Sequence, residues 1–229
     1  MTEKEFLNSI SYSNDELDKI KYFLKYRGID EHDKVRRYLK NFKSEKIKYS
    51  EIATAFRYDK RIRRVLFKYI GFLEEYIRAY ITNKYSNNIN GFKHIDKIKD
   101  YLKENDLSSS LSNLTFRQLM EQLFLLDKKD KLEIFNNQFI KKDLLAIVKL
   151  RNEICHNRFI LDKKEFSCSI SKDCSLLENI KNLMNYLPNE MKNNFIKEVN
   201  DCAIKRKNKY KEETTWDLMP EIVLEKLRN

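Results

Sequence analysis

Arg151, Asn152 and His156 stand close together in the stretch KKDLLAIVKLRNEICHNRF, residues 141–159, where they carry a guanidinium, an amide and an imidazole. Cleavage of RNA without a metal needs a base that titrates near neutral pH for the 2′-hydroxyl and a cation for the charge that builds on phosphorus. Histidine and arginine supply these, and an amide can hold the imidazole or a ribose. A plainer reading stands beside this one, in which a surface histidine neighbours a buried arginine that pairs with a carboxylate from another helix. Arg and His five apart often occur by accident, so the spacing alone does not choose between the two.

A helix must position these groups. At about 100° per residue Leu144, Ile147, Val148, Leu150, Ile154 and Cys155 gather on one face, which predicts an amphipathic helix. Arg151 falls inside that apolar arc, where a charge needs either a partner or a use. Asn152 and His156, four apart, share the flank of the buried face, and His156 lies roughly 140° around from Arg151.

Composition sets the frame for that helix. The chain has 229 residues, enough for one large domain or two small ones, with no disulfide needed for stability. Its 3 glycines and 2 prolines leave few tight turns and no glycine-rich phosphate loop, so an almost all-helical fold is expected. A formal charge of +11 favours a polyanionic partner, nucleic acid before acidic protein or anionic lipid, although lysine-rich composition can also follow genome bias. Cys155, Cys168, Cys174 and Cys202 form no C-x-x-C pair and only 3 histidines could join them, so neither a metal site nor a cofactor is expected. With no signal-peptide pattern and no run of about 18 apolar residues, the expectation is a cytoplasmic protein with reduced thiols and no membrane attachment.

Along the chain, Phe6, Ile10, Leu17, Ile20, Phe23 and Leu24 recur at helical spacing, with an N-cap at Ser13-Asn14-Asp15 and a stop at Gly28. A helix from about Asp33 to Phe42 follows, with Val35, Tyr38, Leu39 and Phe42 on one side. Lys34, Arg36, Arg37 and Lys40 make a basic face that reads as solvated. Ser50 to Tyr85 is the longest periodic stretch and the expected spine, its core positions including Ile62, Leu66, Leu73 and Ile77. On its other side Arg57, Arg61, Arg64, Lys68 and Arg78 follow the same period, a basic stripe of about 30 Å able to track a phosphate backbone, with Tyr58 and Tyr69 nearby to stack on bases. Taken alone, those tyrosines read as core.

Residues 86–113 read as loops around one short helix, Ile95 to Leu102, with His94 in a loop. Thr115 caps a helix through Leu126, and DKKDKLEIF reads as a connector. Past Phe159, residues 161–175 form an expected flap near the motif. Helices from Leu176 to Leu187 and from Glu190 to Tyr210 are divided by Pro188. Arg158 beside the motif and Lys205, Arg206 and Lys207 in KRKNKYK complete the basic candidates for RNA, the last three reading equally as a solvated helix end. Trp216 is an expected packing anchor ahead of a final short helix. With no internal repeat and no long linker, one helical unit is expected: N-terminal helices over 1–49, a core over about 50–210 and a tail over 211–229.

The stretch LLAIVKLRNEICHNRFIL, from Leu144 to Leu161, resembles the motif helix of the Abi-like abortive-infection family of bacteria, the AbiD and AbiF type. YDKRIRRVLFKYIGFLEEYIRAYI from Tyr58 to Ile81, LTFRQLMEQL from Leu114 to Leu123 and, more weakly, FLKYRGI from Phe23 to Ile29 agree in the right order. NFKSEKIKY at 41–49 departs from the tyrosine-rich segment usual there. The resemblance extends to the HEPN superfamily of helical nucleases, marked by an Arg-x-x-x-x-His pattern. It implies an all-α single domain of HEPN type and an RNA-targeting antiphage factor, with Arg151 and His156 as the catalytic pair and Asn152 as the polar residue after the arginine. It also implies association with a small structured non-coding RNA, and a homodimer in which two copies of the motif face one cleft. Two other readings of the same residues remain: a non-catalytic RNA-binding protein that uses this helix for docking, and an interaction protein that senses a phage component by helix repacking.

Overall fold

The computed structural model describes residues 1–136, 138–161, 176–209 and 222–225, excepting the side chains of 203–209. Its helices are α1 Glu3–Ser9, α2 Leu17–Arg27, α3 Ile29–Lys40, α4 Tyr49–Tyr85, α5 Asp96–Tyr101, α6 Leu107–Ser112, α7 Phe116–Leu125, α8 Lys128–Ile134, α9 Lys141–Cys155, α10 Leu176–Tyr186 and α11 Asn189–Lys209. The described residues are mostly helical, in keeping with the all-α expectation. Among the described residues the one sheet pairs β1 Ile10–Ser11 with β2 Ile47–Lys48 in parallel, Ile10 opposite Ile47. The chain falls into two compact units, the first Met1–Val65, Glu153–Leu176 and Ile196–Asn229, the second Leu66–Asn152 and Leu177–Phe195.

In the first unit each boundary has a local cause. Thr2 and Glu5 exchange hydrogen bonds in a capping box that starts α1. Ser13 opens a 3-10 turn ahead of α2, its backbone N–H donating to Glu16 at 3.0 Å. Gly28 ends α2 at φ 82°, a left-handed value natural to glycine, and α3 begins at the next residue rather than at Asp33. Ile10, expected on a helix, is a strand residue, because its backbone pairs with a segment far along the chain that periodicity cannot see. Phe42, expected on the buried side of α3, lies past that helix and is half exposed. The basic face of α3 is internally paired: Asp33 holds Arg36 at 2.7 Å and Arg37 at 3.0 Å, and Glu31 holds Lys34 at 2.7 Å. Phe6, Ile20, Val35, Leu39, Ile47, Ile52, Ile62, Ile160 and Val199 are fully withdrawn from water and form this unit's core. Residues 222–225, within the expected last helix, form none; Leu224 trades two hydrogen bonds with the Asn200 amide, and Ile222 N–H donates to the Tyr58 hydroxyl. Most of the expected flap and Trp216 lie outside the described residues.

The second unit is organised by polar clamps on helix ends. Thr115 and Gln118 form the capping box that starts α7, as expected. Residues 86–113 hold a second helix besides α5, namely α6, started by Asp106, whose carboxylate accepts from Ser109 N–H at 2.7 Å. The LSSSLS of α6 carries too few apolar residues to announce itself by period. The expected connector DKKDKLEIF forms α8, where Asp130 and Glu133 hold the Lys84 ammonium at 2.6 and 2.8 Å and Asp130 also accepts from the Tyr85 hydroxyl. Gln122 bridges Lys93 C=O and Ile95 N–H, and His94 sits in that loop as expected. Leu73, Ile77, Leu111, Leu119, Leu123, Leu144, Ile147 and Leu150 are fully buried and make the core.

Candidate nucleic-acid cavity

The apolar arc of α9 buries Leu144, Ile147, Val148, Leu150 and Ile154 as its period predicts. Cys155 is exposed instead, and Glu153 takes its place among the buried residues. Arg151 is half-buried and Asn152 exposed, both in the second unit. Among the described residues Arg151 makes no ion pair and no side-chain hydrogen bond, so the carboxylate partner demanded by the plainer reading is not found there.

His156, in the first unit, follows the last residue of the helix. Asn157 adopts φ 55°, Asn157 N–H donates to Ile154 C=O and Arg158 N–H to Glu153 C=O, each at 3.1 Å. This pair of bonds is a Schellman stop, built here on asparagine, which tolerates the left-handed region better than most side chains. Arg158 Nη1 reinforces it with an ion pair to Glu153 Oε1 at 2.8 Å. The chain then dives inward: Phe159, Ile160 and Leu161 are buried, and the Phe159 ring meets Tyr38 and Phe56 edge-on. His156 is thereby held outward on a turn fixed from both sides.

The anchor of that turn is Asp59 on α4, with no exposure to solvent. Its Oδ1 accepts from Ile160 N–H at 2.8 Å and its Oδ2 from Arg63 Nε at 2.6 Å. Arg63 Nη1 in turn donates to Asn157 Oδ1 at 3.0 Å. Burial pushes the Asp59 carboxyl up to about 6, against the pull of the Arg63 charge and the two hydrogen bonds. His156 and Asn157 line a cavity of about 330 Å3 with Tyr26, Arg27, Glu31, Phe56, Lys60 and Arg63, all within the first unit. Among the described residues lining it, Arg27, Lys60 and Arg63 are cationic and Glu31 is the carboxylate.

The predicted RNA contacts separate on inspection. Arg57 and Arg64 are exposed and Arg61 half-exposed along α4 of the first unit, a run of about 10 Å. Lys68, exposed in the second unit, lies over the Tyr69 and Phe72 rings. Arg78 leaves the expected stripe: it donates to Leu111 C=O at 3.1 Å and Leu114 C=O at 2.8 Å and pairs with Glu74, satisfying the C-terminal end of α6. Arg158 is spoken for by Glu153, while the side chains of Lys205, Arg206 and Lys207 lie outside the described residues. Tyr58 and Tyr69 are core residues at 0% and 2% exposure, as their helical spacing taken alone suggests, and do not serve as base-stacking groups. Exposed aromatic rings stand elsewhere, at Tyr22 and Tyr26 with centroids 4.5 Å apart.

Sequence reasoning passed over Asp59, Arg63, Lys60 and Arg27. A signal was present for Asp59, which sits between Ala55 and Ile62 inside the buried arc of α4 and four residues ahead of Arg63. That is the same anomaly that drew attention to Arg151. Among the described residues no group of three His, Cys, Asp or Glu side chains could hold a metal ion, and no helix is long and apolar enough to cross a membrane. No protein-family model, no curated protein and no solved structure matches the chain.

Proposed function

We propose that this protein binds RNA and cleaves it without a metal, as an antiphage factor of the abortive-infection type with a HEPN-like helical organisation. The observation that carries this reading is the exposed imidazole of His156 at the wall of a cavity charged by Arg27, Lys60 and Arg63. A phosphodiester in that cavity meets cations for its oxygens and an acid–base group for its proton transfers.

His156 takes the proton from the 2′-hydroxyl or delivers one to the leaving 5′-oxygen. The 2′-oxygen forms its bond to phosphorus as the P–O5′ bond breaks, leaving a 2′,3′-cyclic phosphate and a 5′-hydroxyl. Arg63 and Lys60 meet the charge on the phosphoryl oxygens. Arg151, which holds no carboxylate partner among the described residues, stabilises the phosphorane-like transition state, and Asn152 orients the imidazole or the RNA. The motif copies of two chains face one cleft in a homodimer, and a small structured RNA is the expected partner.

His156→Ala lowers cleavage at least about a hundredfold, EDTA leaves the wild-type rate unchanged, and the product ends are cyclic phosphates. A metal requirement, or a single-chain mass in solution with and without RNA, overturns the composite metal-independent site. Wild-type protein that binds RNA in a salt-sensitive way and never cuts it is the signature of the non-catalytic RNA-binding alternative.

A further inference from the structure

A second cavity of about 270 Å3 lies in the first unit and shares Arg27 and Phe56 with the one that holds His156. Its wall contains two polar side chains almost wholly withdrawn from bulk water, His32 at 1% exposure and Tyr49 at 3%. His32 Nδ1 lies 2.9 Å from Gly28 C=O. A carbonyl only accepts, so Nδ1 carries the proton. Burial holds this imidazole below its ordinary pKa, the Gly28 bond offsetting only part of the effect, so the ring is neutral at pH 7 and Nε2 is an acceptor. Burial likewise pushes the Tyr49 hydroxyl up to about 12 and keeps it a donor.

Neither His32 Nε2 nor the Tyr49 hydroxyl is bonded to a described residue. Both atoms are open to the cavity rather than sealed from water, so the cavity offers one acceptor and one donor to a ligand. The surroundings narrow its chemistry. The His32 and Tyr49 rings lie within 11° of parallel at 6.1 Å, and the Phe56 ring stands at 60° to His32, 4.9 Å away, so a flat heterocycle finds ring faces on one side and a ring across its edge. Of the described residues lining the cavity, Arg27, Arg57 and Lys19 are cationic and Glu16 is the carboxylate, and Arg57 also donates to Thr54 Oγ1 at 3.0 Å, which fixes its guanidinium at the cavity wall. The volume falls just under the roughly 300–1,000 Å3 usual for small-molecule sites, which fits a single nucleotide better than anything larger.

We propose that this cavity binds one nucleotide, its base against His32, Tyr49 and Phe56 and its phosphate on Arg27 and Arg57. The nucleotide arrives either as a free nucleoside monophosphate or as one residue of an RNA strand. The site stands whether or not His156 cuts RNA.

The test is calorimetric titration of the full chain with the four nucleoside 5′-monophosphates, and of the His156→Ala protein with a short oligoribonucleotide that it leaves intact. Saturable one-to-one binding of at least one monophosphate is expected, weakened about tenfold by Tyr49→Phe, which removes the hydroxyl and keeps the ring. Arg57→Gln, an exposed position, is expected to weaken it severalfold and carries the test should Tyr49→Phe melt early. Displacement of the monophosphate by the oligonucleotide identifies an RNA strand as the source, and failure to displace it identifies the free nucleotide. Absence of monophosphate binding, or affinities unchanged by both substitutions, overturns the site. Undiminished cleavage by His156→Ala would remove the nuclease reading and leave the monophosphate titration untouched.

Discussion

Asp59 accepts two hydrogen bonds where water reaches neither oxygen, and those bonds tie the backbone after the motif to Arg63 and, through it, to Asn157. Burial outweighs the Arg63 attraction and lifts this carboxyl from its ordinary 3.8 to about 6. The folded chain therefore holds the Asp59 proton more tightly than the unfolded chain does. The corresponding stability is fully present below about pH 4 and is lost as pH rises through about 6. Asp59→Asn cannot titrate, so the stability of wild type relative to this variant should fall between pH 4 and 6.5 and then stay level. Urea unfolding midpoints across that range measure it, and a difference that grows with pH refutes the assignment. At neutral pH the carboxylate is ionised and keeps Arg63 aimed at the turn beside His156.

At the scale of elements, the end of α9 matters more than its length. The Schellman stop at Asn157 decides that the imidazole leaves the helix axis and faces the cavity while Phe159 to Leu161 return to the core. Glycine accepts a φ of 55° without strain, and a β-branched residue does not. Asn157→Gly should stay within about 1 kcal/mol of wild type, and Asn157→Val should lose about 1–2 kcal/mol. If the turn positions His156, Asn157→Val also lowers cleavage, whereas Asn157→Gly tests only the loss of the Arg63 hydrogen bond. Equal stabilities for the two variants would show that the left-handed residue is not needed.

For the molecule as a whole the +11 charge is a field with local structure. Several of the 46 basic side chains are held by partners, on α3 by Asp33 and Glu31 and at α6 by the engagement of Arg78. Arg57, Arg61 and Arg64 stand toward solvent. Replacing these three with Gln should reduce the slope of log affinity against log salt for single-stranded RNA by about 2 and leave thermal stability near wild type. Arg78→Gln should instead lower stability and leave the slope unchanged. Filter binding at several salt concentrations with parallel melting curves separates the outcomes, and a slope insensitive to the triple substitution removes α4 from the RNA footprint.

The sequence by itself determined the all-helical class, the span of α4, the Thr115 cap, the apolar arc of α9 and the prominence of Arg151 and His156. Each follows from contacts within a few turns of one element, which a 3.6-residue period encodes directly. Only the tertiary structure decided that Arg78 serves a helix end, that DKKDKLEIF is helical and that the cations sharing a cavity with His156 are Arg27, Lys60 and Arg63. These depend on partners remote in sequence: Arg63 and Asn157 are 94 residues apart, and Asp59 and Ile160 are 101. A single sequence states which side chains carry charge and which face of a helix is apolar. Which charge meets which helix end is set by packing, because the cost of a buried unpaired group is charged to the assembled fold and not to the segment that carries it.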